Sequence, residues 1–360
     1  MRILYGVHTQ GQGGLAKASI LVPRMEALGH EVRVVSSGLV PPPCYSFRWH
    51  RHVSGMEYVV AGGRADSMAT FNKWLRETPA IYSSLKTLRA LCTEFSPQLV
   101  ISDFEPLTAN PLLRPGCEVV AASRPVALID PQLHLPEGLD HARKLARTVI
   151  RLFTCGADRR LGYHVARASY RCLPPLVSED VRRLNPVCGS HLVVYNVFHT
   201  ADGSPHDLIR WAARRRQYVQ AYGFPRFRTG KYGYVTFHRP DRAAFLKDLA
   251  SCRGVLCTAG VNLPVEAHLL GKPCAVVPIP NQWEQRVNAH HLQEAGIASA
   301  FTNWDYDALM ELCGAGTVRL PTPWLQSTAD DVLEPLLGQK IARHPAPVDT
   351  PQALPLRRAA

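Results

Sequence analysis

Four polar side chains crowd the first turns of a predicted helix in the segment 280–296: Gln282, Glu284, Gln285 and Asn288. The helix follows the apolar run CAVVPI, which is typical of a buried strand. Carboxylates and carboxamides pair with vicinal hydroxyl groups, because their oxygens accept hydrogen bonds and the amide nitrogen donates them. Positions 285 and 288 share one face of a helix. The cluster therefore predicts a site for a ligand rich in hydroxyl groups, such as a carbohydrate.

The strand-to-helix turn before this cluster has the chemistry to hold a phosphate. A strand ends at Thr258, the small residues Ala259 and Gly260 turn the chain, and a helix opens around Asn262. Unpaired N–H groups at a helix N-terminus, with the partial positive charge found there, suit a phosphate. Glu266 follows one turn further in, where its carboxylate can accept two hydrogen bonds from a ribose diol. The structural alternative is a capping turn with a solvated polar face, which any α/β domain can contain.

A third set of candidates follows the predicted strands RILYGV, QLVIS and PVALI of the N-terminal half. In an open parallel sheet, residues just past the carboxyl ends of the strands face the ligand crevice. The candidates at this edge are His8, Gly13, Gly14, Asp103, Glu105 and Asp130. Each aspartate could instead cap a turn.

The elements that must position these residues alternate between apolar strand-like runs and helical periodicity, which predicts an α/β fold. The first half opens with RILYGV, a helix from about 15 to 28 and EVRVVSS, and the second half opens with HLVVYNV. The proline-marked segment CLPPLVSEDVRRLNP separates the halves. We predict two Rossmann-like domains that face each other across a cleft, over residues 1–175 and 176–330. A helix and a proline-rich, disordered tail are predicted for 331–360.

Composition limits the function classes. The 360 residues are 46% hydrophobic, which is ample for two cores. No apolar run reaches the ~20 residues that span a bilayer, and the N-terminal run is too short for a signal peptide. Ten cysteines without a C-x-x-C pair favour reduced thiols and a cytoplasmic protein. The net charge of +12 could attract nucleic acid, an anionic membrane or a phosphorylated small molecule, but no nucleic-acid motif appears.

The segment LCTAGVNLPVEAHLLGKPCAVVPIPNQWEQRVNA resembles the donor-binding region of GT-B nucleotide-sugar glycosyltransferases. It is similar to the motif of UDP-sugar transferases and of the lipid-linked peptidoglycan N-acetylglucosaminyltransferase. MRILYGV…GQGG…A and LVISDFEPL more closely resemble an uncharacterised bacterial and archaeal group of such transferases. The C-terminal motif is specific, because these residues all fall at the expected spacing: Gly260, Glu266, Gly271, Pro273, Pro278, Gln285 and Asn288.

The resemblance implies an inverting transfer of a sugar from a UDP-linked donor to an acceptor hydroxyl, without a metal or other cofactor. It implies that residues 258–262 hold the diphosphate, that Glu266 holds the ribose, and that Glu284 and Gln285 contact the sugar. The chain departs from the plant-type motif at three positions, where that motif has histidine, tryptophan and serine: Thr258, Val261 and Leu263.

This chain differs from the transferases that it resembles at the position of the catalytic base. They place a histidine at the end of the first glycine loop, where this chain has Gly14. We predict that His8, at the same edge of the sheet, is the base and that Asp103 orients it, with Asp103 alone as the second candidate.

Two other functions and the nature of the acceptor stay open at this stage. The chain could be a carbohydrate or nucleotide-sugar binding protein without activity, or a nucleotide-sugar epimerase of the same architecture. The acceptor could be a small molecule, a glycan or a lipid-linked molecule. A lipid-linked acceptor would bring the basic stretch 143–151 to the inner membrane face, as a peripheral contact.

Overall fold

The computed structural model describes residues 1–10, 12–41, 45–57, 59–61, 64–113, 115–136, 138, 140–196, 204–224, 227–280, 282–315 and 323–341. The predicted disordered stretch 344–355 lies outside these residues. The chain forms two compact units. The first contains Met1–Ala61, Ala65–Leu176 and Gln326–Ala342, and the second contains Val177–Leu325 with the short segment Gly62–Arg64.

The first unit is built on seven strands: β1 (Arg2–His8), β2 (Glu31–Ser37), β3 (His50–Val53), β6 (Leu99–Asp103), β7 (Glu118–Ser123), β8 (Arg159–Tyr163) and β9 (Cys172–Leu173). They pair in the order β3-β2-β1-β6-β7-β8-β9, and every neighbouring pair is parallel. Strands β4 (Val59–Ala61) and β5 (Arg64–Asp66) form a separate two-stranded sheet. The strand order reverses between β1 and β6, and open α/β sheets bind ligands at the carboxyl ends beside such a switch point.

Helices cover both faces of this sheet: α1 (Gln12–Ala27), α2 (Ser67–Phe95), α3 (Arg124–Ala127) and α4 (Asp140–Phe153). Leu15, Leu21 and Met25 recur at helical spacing on α1 and join the core around β1 and β6. Leu88 and Leu91 of α2 join a second core on the opposite face. Because both faces are covered, β1 and β6 are apolar along nearly their whole length.

The second unit repeats this plan with β10 (Leu192–Tyr195), β11 (Val219–Tyr222), β12 (Gly230–Tyr232), β13 (Val235–Phe237), β14 (Gly254–Thr258), β15 (Cys274–Val277) and β16 (Ser299–Ala300). Their order is β12-β13-β11-β10-β14-β15-β16, and only β12 runs antiparallel to its neighbour among these strands. The order reverses between β10 and β14. The carboxyl ends of these two strands are therefore the corresponding ligand edge.

Helices and turns connect the strands of the second unit: α5 (Glu179–Arg182), α6 (Pro205–Arg215), α7 (Arg242–Ser251), α8 (Asn262–Leu269), α9 (Trp283–Glu294), α10 (Tyr306–Ala315) and the 3₁₀ turn Pro323–Gln326. Asp241 caps α7, because its side chain accepts a hydrogen bond from the N–H of Ala244. Helices α7, α8 and α9 each bring polar residues to the carboxyl edge of the sheet.

The last helix, α11 (Ala329–Leu337), belongs to the first unit and packs against α1. Val332, Leu333 and Leu336 are completely buried in the core of that unit. Arg24 of α1 donates to both carboxylate oxygens of Asp330, at 2.7 and 2.8 Å. The sequence predicted a helix here, but its return to the first unit was not predicted.

One predicted strand is wrong. PVALI was expected to be a strand ending before Asp130, but residues 124–127 form α3 and the strand is the preceding EVVAAS. Pro125 lies in the first turn of α3, where its missing N–H costs nothing and its fixed φ favours the helix. Asp130 therefore follows a helix and not a strand.

The chain has no helix, within the described ranges, that is long and apolar enough to cross a membrane. The nine cysteines in those ranges are all free, and five of them are buried.

Candidate active site

The carboxyl edge of β10, β14 and β15 brings together the residues predicted to bind a donor. Thr258 ends β14 and is buried, Ala259 is fully buried, and Gly260 is exposed. The exposed Asn262 begins α8. In the described part of the chain, the N–H groups of residues 261–263 have no acceptor, as expected for the first turn of a helix.

Two amides of α9 brace this turn from inside. The Oε1 of Gln285 accepts hydrogen bonds from the N–H groups of Ala259 and Ile279, both at 3.1 Å. The Nδ2 of Asn288 donates to the carbonyl of Ala259 at 3.0 Å. Both side chains are buried, with Gln285 7% and Asn288 3% exposed. The amide oxygen that was predicted to contact a sugar is thus already used to hold the ends of β14 and β15 in place.

Gln282 and Glu284 lie closer to solvent at the start of α9. Gln282 has an extended backbone directly before the helix and makes no capping bond with its side chain. Glu284 follows in the first turn, and both residues are half-buried. Of the four polar residues in this cluster, these two are the more accessible to a ligand.

Glu266 of α8 is held by an arginine that the sequence analysis did not single out. Arg242, the first residue of α7, donates from Nη2 to Oε1 at 2.6 Å and from Nη1 to Oε2 at 3.2 Å. Glu266 is 8% exposed, whereas the Arg242 side chain is 49% exposed. Tyr195, at the end of β10, is close enough that its pKa, raised mainly by burial, also responds to both charges. A buried carboxylate, an accessible guanidinium and a helix N-terminus therefore meet at one edge of the sheet.

At the corresponding edge of the first unit, His8 ends β1 and is oriented by the backbone. Its Nε2 lies 2.8 Å from the carbonyl oxygen of Met56. A carbonyl only accepts, so Nε2 carries the proton and Nδ1 is bare in the neutral ring. Gly38 adopts a positive φ of 97°, and a Cβ there would lie 3.4 Å from Nε2. Glycine thus lets this loop approach the imidazole closely.

Asp103 does not orient His8 as predicted. Its Oδ1 accepts from the Nζ of Lys17 at 2.7 Å, and within the described ranges no hydrogen bond joins it to His8. Burial raises the pKa of Asp103, although Lys17 and the nearby His8 lower it in part. The Lys17 ammonium also lies 4.5 Å from the centre of the Tyr163 ring, and burial together with Asp103 raises the pKa of that phenol. The carboxylate is thus part of a buried ion pair.

Position 14 faces the free side of Asp103. The Oδ2 of Asp103 is buried and has no hydrogen-bond partner among the residues described. A Cβ on Gly14 would lie 3.5 Å from this oxygen and 2.8 Å from Cγ2 of Val7. A side chain here would therefore point towards Asp103 but would require Val7 to move. Gly13, one residue earlier, is exposed.

The other two acceptor-side candidates are internal braces. Glu105 is completely buried, and its carboxylate accepts from Ser37 Oγ at 2.7 Å and from the N–H groups of Leu107 and Thr108. Asp130 is 8% exposed and accepts from the N–H of Gln132 and the hydroxyl of Ser169. In this structure Glu105 cannot touch an acceptor, because it has no exposed surface.

The family model described as "Glycosyl transferase family 1" matches residues 1–313. The chain belongs to this family. As a glycosyltransferase of this family it has the predicted activity class, and the predicted GT-B fold agrees with its structural neighbours. The family supports glycosyl transfer from a nucleotide sugar. No curated protein matches the sequence.

Solved structures share the fold at low identity. The glycosyltransferase SnogD from Streptomyces nogalater is 16% identical, covers 94% of this chain and 99% of its own, and has a TM-score of 0.57. UGT2 of Phytolacca americana, solved with UDP-2-fluoroglucose and pterostilbene, is 14% identical over 87% of this chain and 88% of its own, with a TM-score of 0.58. The glycosyltransferase of kitacinnamycin is 16% identical, covers 94% and 95% of the two chains, and has a TM-score of 0.58.

Sequence reasoning missed two charged residues in this glycosyltransferase, Arg242 and Lys17. Lys17 lies three residues after Gly14 on α1, and that spacing places both on one face of the helix. A lysine there was a signal that the aspartate facing position 14 would have a cationic partner. Arg242 follows the cap of α7, and a basic residue at the start of a helix is unfavourable unless a carboxylate accepts it.

Proposed function

We propose that this glycosyltransferase transfers a sugar, with inversion, from a UDP-linked donor bound by the second unit to an acceptor hydroxyl. The observation that carries the proposal is the buried Glu266 beside the open N-terminus of α8, with Arg242 bonded to both of its oxygens. Ribose hydroxyls need acceptors and a diphosphate needs donors. This edge supplies both within one short stretch of structure.

The donor contacts follow from these groups. Each carboxylate oxygen of Glu266 has a second lone pair, so it can keep Arg242 and still accept from a ribose diol. The free N–H groups of α8 and the exposed part of Arg242 then suit the diphosphate. Gln285 and Asn288 fix the turn that carries these N–H groups. Gln282 and Glu284 are the groups that we assign to the sugar hydroxyls.

The proposed base is His8. As the acceptor oxygen forms its bond to the anomeric carbon, its proton passes to the bare Nδ1 of the imidazole. The bond between that carbon and the diphosphate oxygen breaks, and the nucleoside diphosphate leaves with the electron pair. Because Met56 accepts from Nε2, the ring is already in the tautomer that this step requires. Asp103, bound to Lys17, is the second candidate for the base.

UDP is the proposed nucleotide because the sequence motif resembles that of UDP-sugar transferases, and the Phytolacca americana structure contains a UDP-sugar analogue. That structure also contains pterostilbene, which favours a small hydroxylated acceptor. We propose that the reaction needs no metal and takes place in the cytoplasm. The epimerase and binding-protein hypotheses are not favoured by any of the comparisons.

A panel of UDP-, GDP- and dTDP-sugars tests the proposal by calorimetry and by transfer to hydroxylated acceptors, with and without a chelator. We expect saturable binding of UDP sugars, transfer with inverted stereochemistry at the anomeric carbon, and no loss of rate with the chelator. Binding of GDP sugars alone would reject the UDP assignment. Retention of configuration would reject the single-displacement mechanism.

A further inference from the structure

A pocket of about 490 Å³ in the first unit is lined by four arginines from three elements. Arg147 and Arg151 come from α4, Arg160 from β8, and Arg171 from the residues just before β9. Its size falls within the range of about 300–1,000 Å³ that small-molecule sites occupy. Of the residues predicted for the acceptor side, Asp130 lines this pocket, whereas His8 and Asp103 do not.

Two guanidinium groups of this pocket hydrogen-bond to neutral oxygens in the part of the chain that the structure describes. Among the residues that the structure describes, none of the four forms an ion pair with a carboxylate. Arg160 donates to the hydroxyl and carbonyl oxygens of Thr154, and Arg171 donates to the hydroxyl of Tyr170. These neutral acceptors fix two guanidinium groups in position without neutralising them.

Among the described lining residues the carboxylate is that of Asp130, which already accepts hydrogen bonds from Gln132 and Ser169. The described lining thus places four arginines and one aspartate around the same cavity. On a convex surface such charges are separated and screened by solvent, whereas a concave wall brings them towards one point. Planar guanidinium groups bind phosphate oxygens in pairs, which makes arginine the side chain best suited to a phosphate.

The rest of the wall is apolar and comes from α3 and the turn after it, including Val126, Ala127, Ile129 and Pro131. Gly162 of β8 lies opposite, where a Cβ would come within 2.3 Å of the backbone of Ala127. This close approach of α3 to the sheet fixes the floor of the pocket. This lining suits a ligand that carries a phosphate group next to an apolar part.

We propose that this pocket is a binding site for a phosphate-bearing organic ligand, separate from the donor site and independent of its assignment. The phosphate can belong to a free small molecule or to a lipid headgroup, because both present the same oxygens to the arginines. Val149 and Leu152 of α4 are exposed but do not line the pocket, so they favour neither source. The side chains of Arg143 and Leu145, in the basic stretch discussed above, lie outside the described residues.

Cys155 gives a local readout, because it is exposed and lies in the pocket wall. The full-length protein is treated with iodoacetamide, and the alkylation rate of each cysteine is followed by peptide mass spectrometry. The probes are pyrophosphate, vesicles of phosphatidic acid in phosphatidylcholine, and phosphatidylcholine vesicles alone. Cys188, exposed in the second unit, is the internal control. UDP is tested separately as a further phosphate-bearing probe: its protection of Cys155 would support this pocket, and its binding to the proposed donor site is measured by calorimetry.

We expect pyrophosphate or the phosphatidic acid vesicles to slow the alkylation of Cys155 and to leave Cys188 unchanged. Protection by pyrophosphate identifies a free ligand, and protection by the anionic vesicles alone identifies a headgroup. The double variant Arg147→Gln/Arg151→Gln should lower the affinity of the protecting probe by about tenfold or more, because two charge-assisted contacts are lost. The matched variant Arg48→Gln/Arg76→Gln removes two exposed arginines of the same unit and should keep wild-type protection.

Three results would overturn the proposal. The first is that no probe protects Cys155. The second is that the Arg147/Arg151 variant is protected as well as the wild type. The third is that the Arg48/Arg76 variant loses protection as much as the Arg147/Arg151 variant does. Because Cys155 is monitored without turnover, these results do not depend on whether the protein transfers sugar. Failure of UDP binding would leave this site standing, and loss of Cys155 protection would leave the donor site standing.

Discussion

The polar residues of the candidate donor site have two roles. Some of them can contact a ligand, and others hold those residues in place. Glu266 and Gln285 were predicted together from one motif, yet only Glu266 lies beside an exposed cationic partner. Gln285 uses its oxygen on two backbone N–H groups. Residue type and spacing predicted that both matter, whereas the division of labour depends on side-chain directions that the motif does not contain.

Replacing Glu266 with Ala removes the proposed acceptor for the ribose and the carboxylate that binds Arg242. Loss of charge-assisted hydrogen bonds costs about 1.5–3 kcal/mol, so the affinity for UDP should fall about tenfold to a hundredfold. Titration calorimetry measures this change. Glu311→Ala, an exposed glutamate of α10 in the same unit, is the control and should bind as wild type. Unchanged UDP binding by Glu266→Ala would contradict the donor assignment.

Replacing His8 with Ala should lower kcat by about 10²–10⁴-fold, the usual contribution of a general base. The Kd for UDP should stay the same, because the proposed nucleotide contacts lie in the second unit. Steady-state kinetics and calorimetry together measure both effects. Full turnover in His8→Ala combined with lost turnover in Asp103→Ala would move the role of base to the aspartate.

Asp103 predicts a pH dependence of stability. Burial raises its pKa above the usual value of 3.8, so the folded protein binds a proton there that the unfolded chain has released. The proton therefore contributes to the free energy of unfolding. This contribution is fully present below pH 3.8 and is lost as the pH rises through the pKa of the folded state. Each unit of difference between the folded and unfolded pKa is worth about 1.4 kcal/mol. Urea unfolding from pH 4 to 7 compares the wild type with Asp103→Asn, which also breaks the Lys17 pair and so adds an offset. The stability of the wild type relative to the variant should fall as pH rises, and a difference independent of pH would exclude the raised pKa.

The elements that the sequence predicted best are those whose apolar pattern has one interpretation. The strands RILYGV and EVRVVSS and the helices of the donor region lie close to where the pattern placed them. PVALI failed because a short apolar run fits either a strand or a buried helix, and the proline decided in favour of the helix. Strand β8 was missed because it opens with two arginines, and β9 and β16 are only two residues long.

The contact between α9 and the β14–α8 turn can be tested by a substitution at Gln285. Gln285→Ala removes the acceptor for the N–H of Ile279 and one of the two acceptors for the N–H of Ala259, which also donates to the carbonyl of Val277. The loss should cost about 1–3 kcal/mol and should also weaken UDP binding through the displaced turn. Thermal unfolding and calorimetry measure the two effects. Gln293→Ala is the matched control on the same helix, because its side chain accepts from Ala300 at an exposed position. Equal effects of the two substitutions would contradict a specific bracing role.

At the scale of the whole molecule, the sequence analysis placed a domain boundary between 175 and 176 but gave no partner for the last helix, which joins the first compact unit. The apolar pattern of α11 indicates that one face is buried, but it carries no information on which core receives it. Arg24 and Asp330 are separated by 306 positions in the chain, and such a long-range pair has no local sequence signal.

The burial of α11 predicts a large loss of stability when its core is disrupted. Leu333 is completely buried, so Leu333→Ala should cost the first unit about 2–5 kcal/mol. Urea unfolding measures the change. Leu112→Ala, at a residue 50% exposed in the same unit, should have little effect. A Leu333→Ala variant as stable as Leu112→Ala would show that α11 contributes little to that core.

The return of α11 also sets an order of events at the ribosome. Synthesis delivers residues 177–325 before residues 329–337, and domains generally fold as units as they emerge. The second unit can therefore be complete while α1 still lacks the side chains of Val332, Leu333 and Leu336 that finish its core. A chain truncated before 326 and released would combine a folded second unit with a first unit whose apolar face is uncovered. The first unit is therefore synthesised first but completed last, and it depends on chaperone protection until α11 has been made.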